Sequence, residues 1–398
     1  MMRSTISPKL GFHDSILHRF QISANPRFLR TSNPRWFHIS NTSREKLNIA
    51  FFGSDEFSIQ SLQWLLEFKN QSRTDNKLSI GNIDLIVKHP KLSGRGMSSF
   101  SDVPIVKYLE QYNFNNKDHE IPIIRAESKQ EINNLIPKSY DLAIAVSYGK
   151  LIPSDFIKSL KYCGLNVHPS LLPKYSGTSP LQYALLNDDE FTGVTVQTLH
   201  PTKFDRGEIV IQSKEMKISD DETLGSLREK LGEKGGELLS KVISDGMFKN
   251  LHGGEEVKDG KYQYSYASKI TPDMKQVLWD QYGSRQLKRR INVLGSLYSY
   301  KKVDLKKKKN NSNGNKGPQF RRVIFYDIEP LDLKSEGLEH DGEFKLSKDG
   351  SKVLVKTIDG VISCGRLKFE CFGEEDAATF MKRLKKRSGN DEQIFCKA

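Results

Sequence analysis

Three side chains stand out by type and spacing. Asn166 and His168 are two positions apart in Gly164-Leu165-Asn166-Val167-His168-Pro169, and Asp205 lies in Phe204-Asp205-Arg206-Gly207. The apolar run Leu165–Val167 predicts a buried strand. Strand side chains alternate between faces, so Asn166 and His168 share one face at the strand's end. Asp205 falls in a turn between two further predicted strands, Gly193–Leu199 and Glu208–Glu215. An amide, an imidazole and a carboxylate in one cleft suit acyl transfer to an amine. Attack on the acyl carbon makes a tetrahedral oxyanion, which Asn166 and a protonated His168 stabilise by preorganised hydrogen bonds. The attacking ammonium must lose a proton and the departing nitrogen must gain one, and Asp205 is the group to carry it, directly or through a water. This chemistry requires no nucleophilic side chain and no metal. As spacing alone the N-x-H pair is a weak signal, because a lone His at a strand end more often serves only the surface or the core.

Those residues need a sheet whose strands end together. The run Leu47–Phe52 closes on Gly53, as a buried parallel strand does. Further strands are predicted at Ile83–Val87, Ile121–Ile124 and Leu142–Val146, with helical periodicity at Phe57–Phe68, Val103–Tyr112 and Lys129–Ile136. Such alternation predicts an α/β fold with a doubly wound, mostly parallel sheet, closed by a long amphipathic helix from Thr223 to about Met247. Ligands in open α/β sheets bind at the carboxyl edge, where Asn166 and His168 fall. After Asn250 the pattern changes. A helix is predicted at Ser284–Val293, then short strands at Arg322–Tyr326, Gly342–Leu346, Lys352–Thr357 and Gly360–Glu370, which predict a smaller C-terminal β-barrel of the OB kind. A final helix, Asp376–Arg387, ends in Lys382, Arg383, Lys385, Lys386 and Arg387. The resulting division is a leader at 1–44, a catalytic domain at 45–250, a linker at 251–283 and an OB-like domain at 284–398.

Composition bounds the partners. With 62 Lys+Arg against 49 Asp+Glu the formal net charge is +13, a surplus that favours polyanions. The first 44 residues carry Arg3, Lys9, Arg19, Arg27, Arg30, Arg35 and Arg44 against one acid, Asp14. Arg-rich, Ser-rich and acid-poor is transit-peptide composition, and it predicts the mitochondrial matrix. Arg35-Trp36-Phe37-His38-Ile39-Ser40 resembles the R-x-F-x-x-S pattern of two-step matrix processing, which puts the mature start near Glu45. No run of about 18 apolar residues exists, so no membrane-spanning helix is predicted. Cys163, Cys364, Cys371 and Cys396 form no C-x-x-C pair and read as reduced thiols. Gly53-Ser54-Asp55 is followed by no G-x-G-x-x-G, which argues against a nucleotide cofactor. Nothing resembles a self-association surface, so a monomer is expected.

The longer string Asn166-x-His168-x-Ser170-Leu171-Leu172-Pro173-x-x-x-Gly177, with Asp205-x-Gly207 downstream, resembles the folate-dependent formyltransferase family. Within it, Gly177-Thr178-Ser179-Pro180-Leu181-Gln182 and Phe51-Phe52-Gly53-Ser54-Asp55-x-Phe57 are similar to the form in methionyl-tRNA formyltransferases. The resemblance implies formyl transfer from 10-formyltetrahydrofolate to initiator methionyl-tRNA, with Asn166, His168 and Asp205 as the catalytic set. It also implies a folate site lined by Ser170, Leu171, Leu172 and Pro173, with Tyr148, Gly149 and Leu151 near the pterin. Arg95, in Gly94-Arg95-Gly96, falls where family members carry a loop that enters the acceptor stem. The run Lys306, Lys307, Lys308 and Lys309 either grips the tRNA backbone or is a solvated loop. Relatives acting on glycinamide ribonucleotide, amino sugars or water share the same three residues. The leader, the basic C-terminal half and Thr178–Gln182 favour tRNA over them. Three departures bear on tRNA docking: Asn292–Leu297 replaces a Pro- and Trp-bearing segment, Met97–Ser99 lacks basic residues, and 306–316 is an insertion.

Overall fold

The computed structural model describes residues 45–71, 78–93, 99–251, 261–304 and 319–397. The 44-residue leader, Arg95 and the run Lys306–Lys309 lie outside the described residues.

Seven strands build the main sheet: β1 Glu45–Gly53, β2 Leu78–Val87, β3 Ile123–Arg125, β4 Leu142–Val146, β5 Gly164–His168, β6 Thr195–Thr198 and β7 Ile209–Gln212. Their order is β7-β6-β5-β4-β1-β2-β3. The pairings β3–β2–β1–β4–β5 are parallel, and β6 and β7 join antiparallel at one edge. Central strands read as continuous apolar runs because both faces are covered: every residue of β4 is buried, and so are Ile49 to Gly53 of β1. The expected mostly parallel α/β sheet is therefore present. The chain runs outward from β1 to β2 and β3, then returns to β4 on the other side of β1. That reversal opens a crevice at the carboxyl ends of β1 and β4.

The helices are α1 Glu56–Gln71, α2 Pro104–Asn115, α3 Lys129–Asn133, α4 Ser154–Ser159, α5 Pro180–Leu186, α6 Leu224–Ser244, α7 Ser284–Leu294 and α8 Ala377–Ser388. Thr223 caps α6, its hydroxyl accepting from the Ser226 N–H at 3.1 Å. α6 holds four glycines, which cost helix propensity, and Gly232, Gly235 and Gly236 allow close packing. A Cβ at Gly236 would stand 2.3 Å from Trp64 Cδ1 of α1, and one at Gly235 would stand 2.9 Å from Val167 Cγ1 of β5. The result seats α6 beside α1 behind the strand that carries Asn166 and His168. At the chain's other margin, Glu45 is held by Lys161 Nζ at 2.6 Å, Lys249 Nζ at 2.8 Å and the Tyr162 hydroxyl.

The C-terminal strands are β8 Leu297–Val303, β9 Gln319–Phe325, β10 Glu329–Leu331, β11 Phe344–Leu346, β12 Val353–Lys356, β13 Val361–Cys364, β14 Arg366–Phe369 and β15 Glu374–Asp376. They pair as two four-stranded antiparallel sheets, β8-β9-β14-β15 and β10-β13-β12-β11. A small β unit thus stands where one was expected, its pairings defining two sheets. Trp279, Phe325, Phe344 and Phe395 fill its core, with the Phe344 and Phe395 rings stacked at 4.1 Å. No described helix is long and apolar enough to cross a membrane.

Candidate active site

β5 lies inside the sheet and delivers Asn166 and His168 to its carboxyl edge. Its antiparallel neighbour β6 sets Gln197 opposite Asn166 and Thr195 opposite His168. The turn from β6 to β7 then brings Asp205 back over both. The Asp205 carboxylate is engaged on each oxygen. Oδ1 accepts from Asn166 Nδ2 at 3.1 Å and from Gln197 Nε2 at 3.4 Å, and lies 3.4 Å from His168 Nδ1. Oδ2 accepts from the Gly177 N–H at 2.8 Å. The three residues expected to act together are brought together.

Local backbone geometry serves this convergence. Asp205 (φ 51°), Tyr175 (φ 58°) and Ser147 (φ 53°) are non-glycine residues in the left-handed region, a conformation that surrounding contacts must impose. Tyr175 directs its carbonyl to His168 Nε2 at 2.9 Å, while its own N–H donates to Ser265 Oγ at 2.9 Å. Ser147 accepts the Ser54 hydroxyl at its carbonyl, which ties the end of β4 to the end of β1. Gly207 is glycine for want of space: a Cβ there would stand 1.7 Å from the Thr198 carbonyl oxygen. Its N–H donates to Gln197 Oε1 at 3.2 Å, closing the turn beneath Asp205.

Asn166, His168 and Asp205 open on a cleft of about 700 Å³. Its apolar wall includes Leu151, Ile152, Ile157 and Leu181, a lining suited to the flat ring of an organic ligand. Tyr148, Gly149 and Leu151 line the cleft. The buried Tyr148 hydroxyl donates to the Ala126 carbonyl, and burial moves its ionisation upward. Asp55, at the mouth of α1, also faces the cleft, and burial raises its carboxyl above the usual range. Lys88 approaches from behind Gly149, its ammonium ionisation lowered chiefly by burial.

Ser170–Pro173 stands beside this cleft rather than in its lining. None of the four lines the cleft; Ser170 and Leu171 border a separate, smaller depression. Ser170 and Thr195 knit this segment to the sheet, the Ser170 hydroxyl donating to the Lys174 carbonyl at 2.6 Å and the Thr195 hydroxyl to the Ser170 carbonyl at 2.7 Å. Leu171 and Leu172 are buried. The segment is the shelf under the Tyr175 carbonyl, because its polar groups are spent on the Lys174 carbonyl and on the Thr195 and Gln212 side chains of β6 and β7. Arg95 and Lys306–Lys309 lie outside the described residues.

Sequence reasoning missed Gln197, the Gly177 N–H, the Tyr175 carbonyl and Asp55. Gln197 was within reach, since an amide inside a buried strand needs a polar partner. The two backbone groups carry no sequence signal. Asp55 was read only as part of the Phe51–Phe57 string, with no role at the cleft. Among the described residues no group of His, Cys, Asp or Glu is disposed to hold a metal.

Known proteins resemble this chain along most of its length. Residues 47–243 match the formyl transferase family model. The mitochondrial methionyl-tRNA formyltransferase of Saccharomyces cerevisiae is 31% identical over 391 residues, covering 88% of this chain and 94% of that protein. A putative methionyl-tRNA formyltransferase of Schizosaccharomyces pombe is 28% identical over 79% of this chain and 88% of its own. The methionyl-tRNA formyltransferase of Ehrlichia canis is 30% identical over 56% of this chain and 67% of its own. With its sheet, its cleft and this likeness along nearly its whole length, the chain belongs to the formyl transferase family, among the methionyl-tRNA formyltransferases.

Proposed function

We infer that this chain transfers the formyl group of 10-formyltetrahydrofolate to the amino group of methionine on initiator tRNA, for translation initiation in the mitochondrial matrix. The carrying observation is the closure of Asn166, His168 and Asp205 on one another at the cleft, in a chain of this family. The acid-poor leader and the yeast mitochondrial relative support the compartment.

The chemistry follows from the contacts. Asn166 spends one amide N–H on Asp205, so its second N–H serves the formyl oxygen as that oxygen becomes an anion. The Nε2 of His168 donates to the Tyr175 carbonyl, which leaves Nδ1 as the nitrogen that exchanges a proton beside Asp205. The methionyl nitrogen forms its bond to the formyl carbon, and the bond from that carbon to the folate nitrogen breaks. The incoming nitrogen loses one proton and the departing nitrogen gains one, through Asp205. Both Asp205 oxygens are already hydrogen-bonded, which fixes the carboxylate before substrate arrives.

The test incubates the purified chain with 10-formyltetrahydrofolate and Met-charged initiator tRNA, and scores formylmethionine after deacylation. Formylation that drops about 10²–10³-fold in kcat with Asn166→Ala is expected for a lost oxyanion donor. Transfer to an amino sugar or to glycinamide ribonucleotide, with none to the tRNA, would overturn the acceptor.

A further inference from the structure

The mouth of the cleft carries a feature that the formyl-transfer step does not use. Phe204, Tyr264 and Tyr266 line it, yet they are 56%, 51% and 59% exposed. Large aromatic rings left in water beside a catalytic group need a reason. The Arg206 guanidinium stacks over the Tyr264 ring, 4.2 Å from its centre. Phe204 and Arg206 are the immediate neighbours of Asp205, so this surface begins where proton transfer ends.

The two tyrosines are held in register. Residues 265–267 are zipped along the segment before α5. Ser265 O accepts from Ser176 N–H at 2.9 Å, Ser265 Oγ accepts from Tyr175 N–H at 2.9 Å, and Tyr266–Ala267 pairs in parallel with Ser176–Gly177. Tyr266 begins that pairing and Tyr264 stands just before Ser265, so the anchored serine sits between the two rings in sequence. A Cβ at Gly177 would stand 2.8 Å from Tyr266 Cε2, so the ring lies over bare backbone. Charge completes the surface. Lys150, Lys203 and Arg206 line the cleft with Asp55 and Asp205, and Arg228, also in the lining, is paired with Glu56 at 3.3 Å.

Exposed aromatic rings interleaved with cations fit unpaired nucleotides: the bases stack on rings and guanidinium planes while the cations meet phosphates. Resting on the proposed function, we propose that Phe204, Arg206, Tyr264 and Tyr266 form a stacking platform for the single-stranded nucleotides that lead to the aminoacyl end of the acceptor RNA. The platform sits at the mouth that such nucleotides must cross to bring the amino group to Asp205.

The test uses the full chain and varies each substrate in turn for wild type, Phe204→Ala, Tyr264→Ala and Tyr264→Phe. The platform predicts that each alanine variant raises KM for Met-charged initiator tRNA about 5- to 100-fold, the range for one lost base stack. KM for 10-formyltetrahydrofolate stays within twofold, which also shows the variants fold, and Tyr264→Phe keeps near-wild-type values. Unchanged tRNA KM in both alanine variants overturns the platform, and so does a rise confined to the folate KM, which would assign the rings to the formyl donor. Absence of tRNA formylation by the wild-type chain overturns the proposed function and the platform together.

Discussion

The Nε2 atom of His168 stands 2.9 Å from the carbonyl oxygen of Tyr175. A carbonyl only accepts, so the imidazole carries a proton on Nε2 in its neutral as well as its cationic form. The nitrogen beside Asp205 is therefore Nδ1, and the tautomer is set by backbone rather than by another side chain. Nitrogen NMR of the histidine-labelled protein, assigned with His168→Gln, is expected to show the Nε2–H tautomer when His168 is neutral. A neutral Nδ1–H form would falsify this arrangement.

Gly207 gives a second expectation. The turn leaves no room for a methyl group against the Thr198 carbonyl, and backbone cannot swing away as a side chain can. Gly207→Ala should destabilise by about 1–3 kcal/mol or more, as overpacking does. Because the same turn carries Asp205, kcat should fall beyond what the loss of folded protein explains. Denaturant titration beside kinetics on the folded fraction separates the two effects, and a wild-type kcat would remove the turn from the mechanism.

In the C-terminal helix, Arg387 forms an ion pair with Glu375, the two side chains only 7% and 8% exposed. Removing Glu375 leaves Arg387 buried without its counter-charge, at a cost of about 3–5 kcal/mol. Glu375→Ala should lose that much in urea unfolding, whereas Glu375→Leu with Arg387→Met should recover most of it. Equal losses in the single and double variants would mean that packing, not charge, is what the pair supplies.

The clamp on Glu45 carries a pH signature. Hydrogen bonds from Lys161, then Lys249 and Tyr162, lower its carboxyl from 4.5 to about 2. A depressed folded value stabilises the fold above the unfolded value, and that contribution fades as pH falls from about 4.5 toward 2. The stability gap between wild type and Glu45→Gln should be full at pH 6 and shrink steadily on acidification below about pH 4.5. Thermal melts across that interval check it; a gap that widens in acid has the wrong sign.

Much of the catalytic half was legible because the physics there is periodic. Strands buried on both faces must be apolar throughout, which is why Leu142–Val146 is observed with the predicted bounds. Asn166 and His168 were legible for the same reason, since their shared face follows from alternation alone. The strand Leu297–Val303 went unseen because Lys301 and Lys302 disguise it. Lys301 is in fact fully buried, its ammonium donating to Asn390 Oδ1 at 2.8 Å, and burial lowers its ionisation. The basic end of the last helix is partly paired within the chain, which its residue types do not reveal: Arg387 turns inward to Glu375, and Lys385 is paired with Asp391 at 2.6 Å. The Ser170–Pro173 reading rested on resemblance, and alternation has nothing to say about a loop that hangs on the Thr195 and Gln212 side chains.

The pairing of residues 265–267 with the segment before α5 bears on modularity. The family match stops at residue 243, yet the hydrogen bond that fixes Tyr175 comes from Ser265. A fragment ending near residue 250 keeps Asn166, His168 and Asp205 and loses the brace on the residue whose carbonyl meets His168. The transferase half is therefore not a portable cassette. Any fusion, truncation or domain exchange in this chain has to carry the stretch through Ala267 along with it.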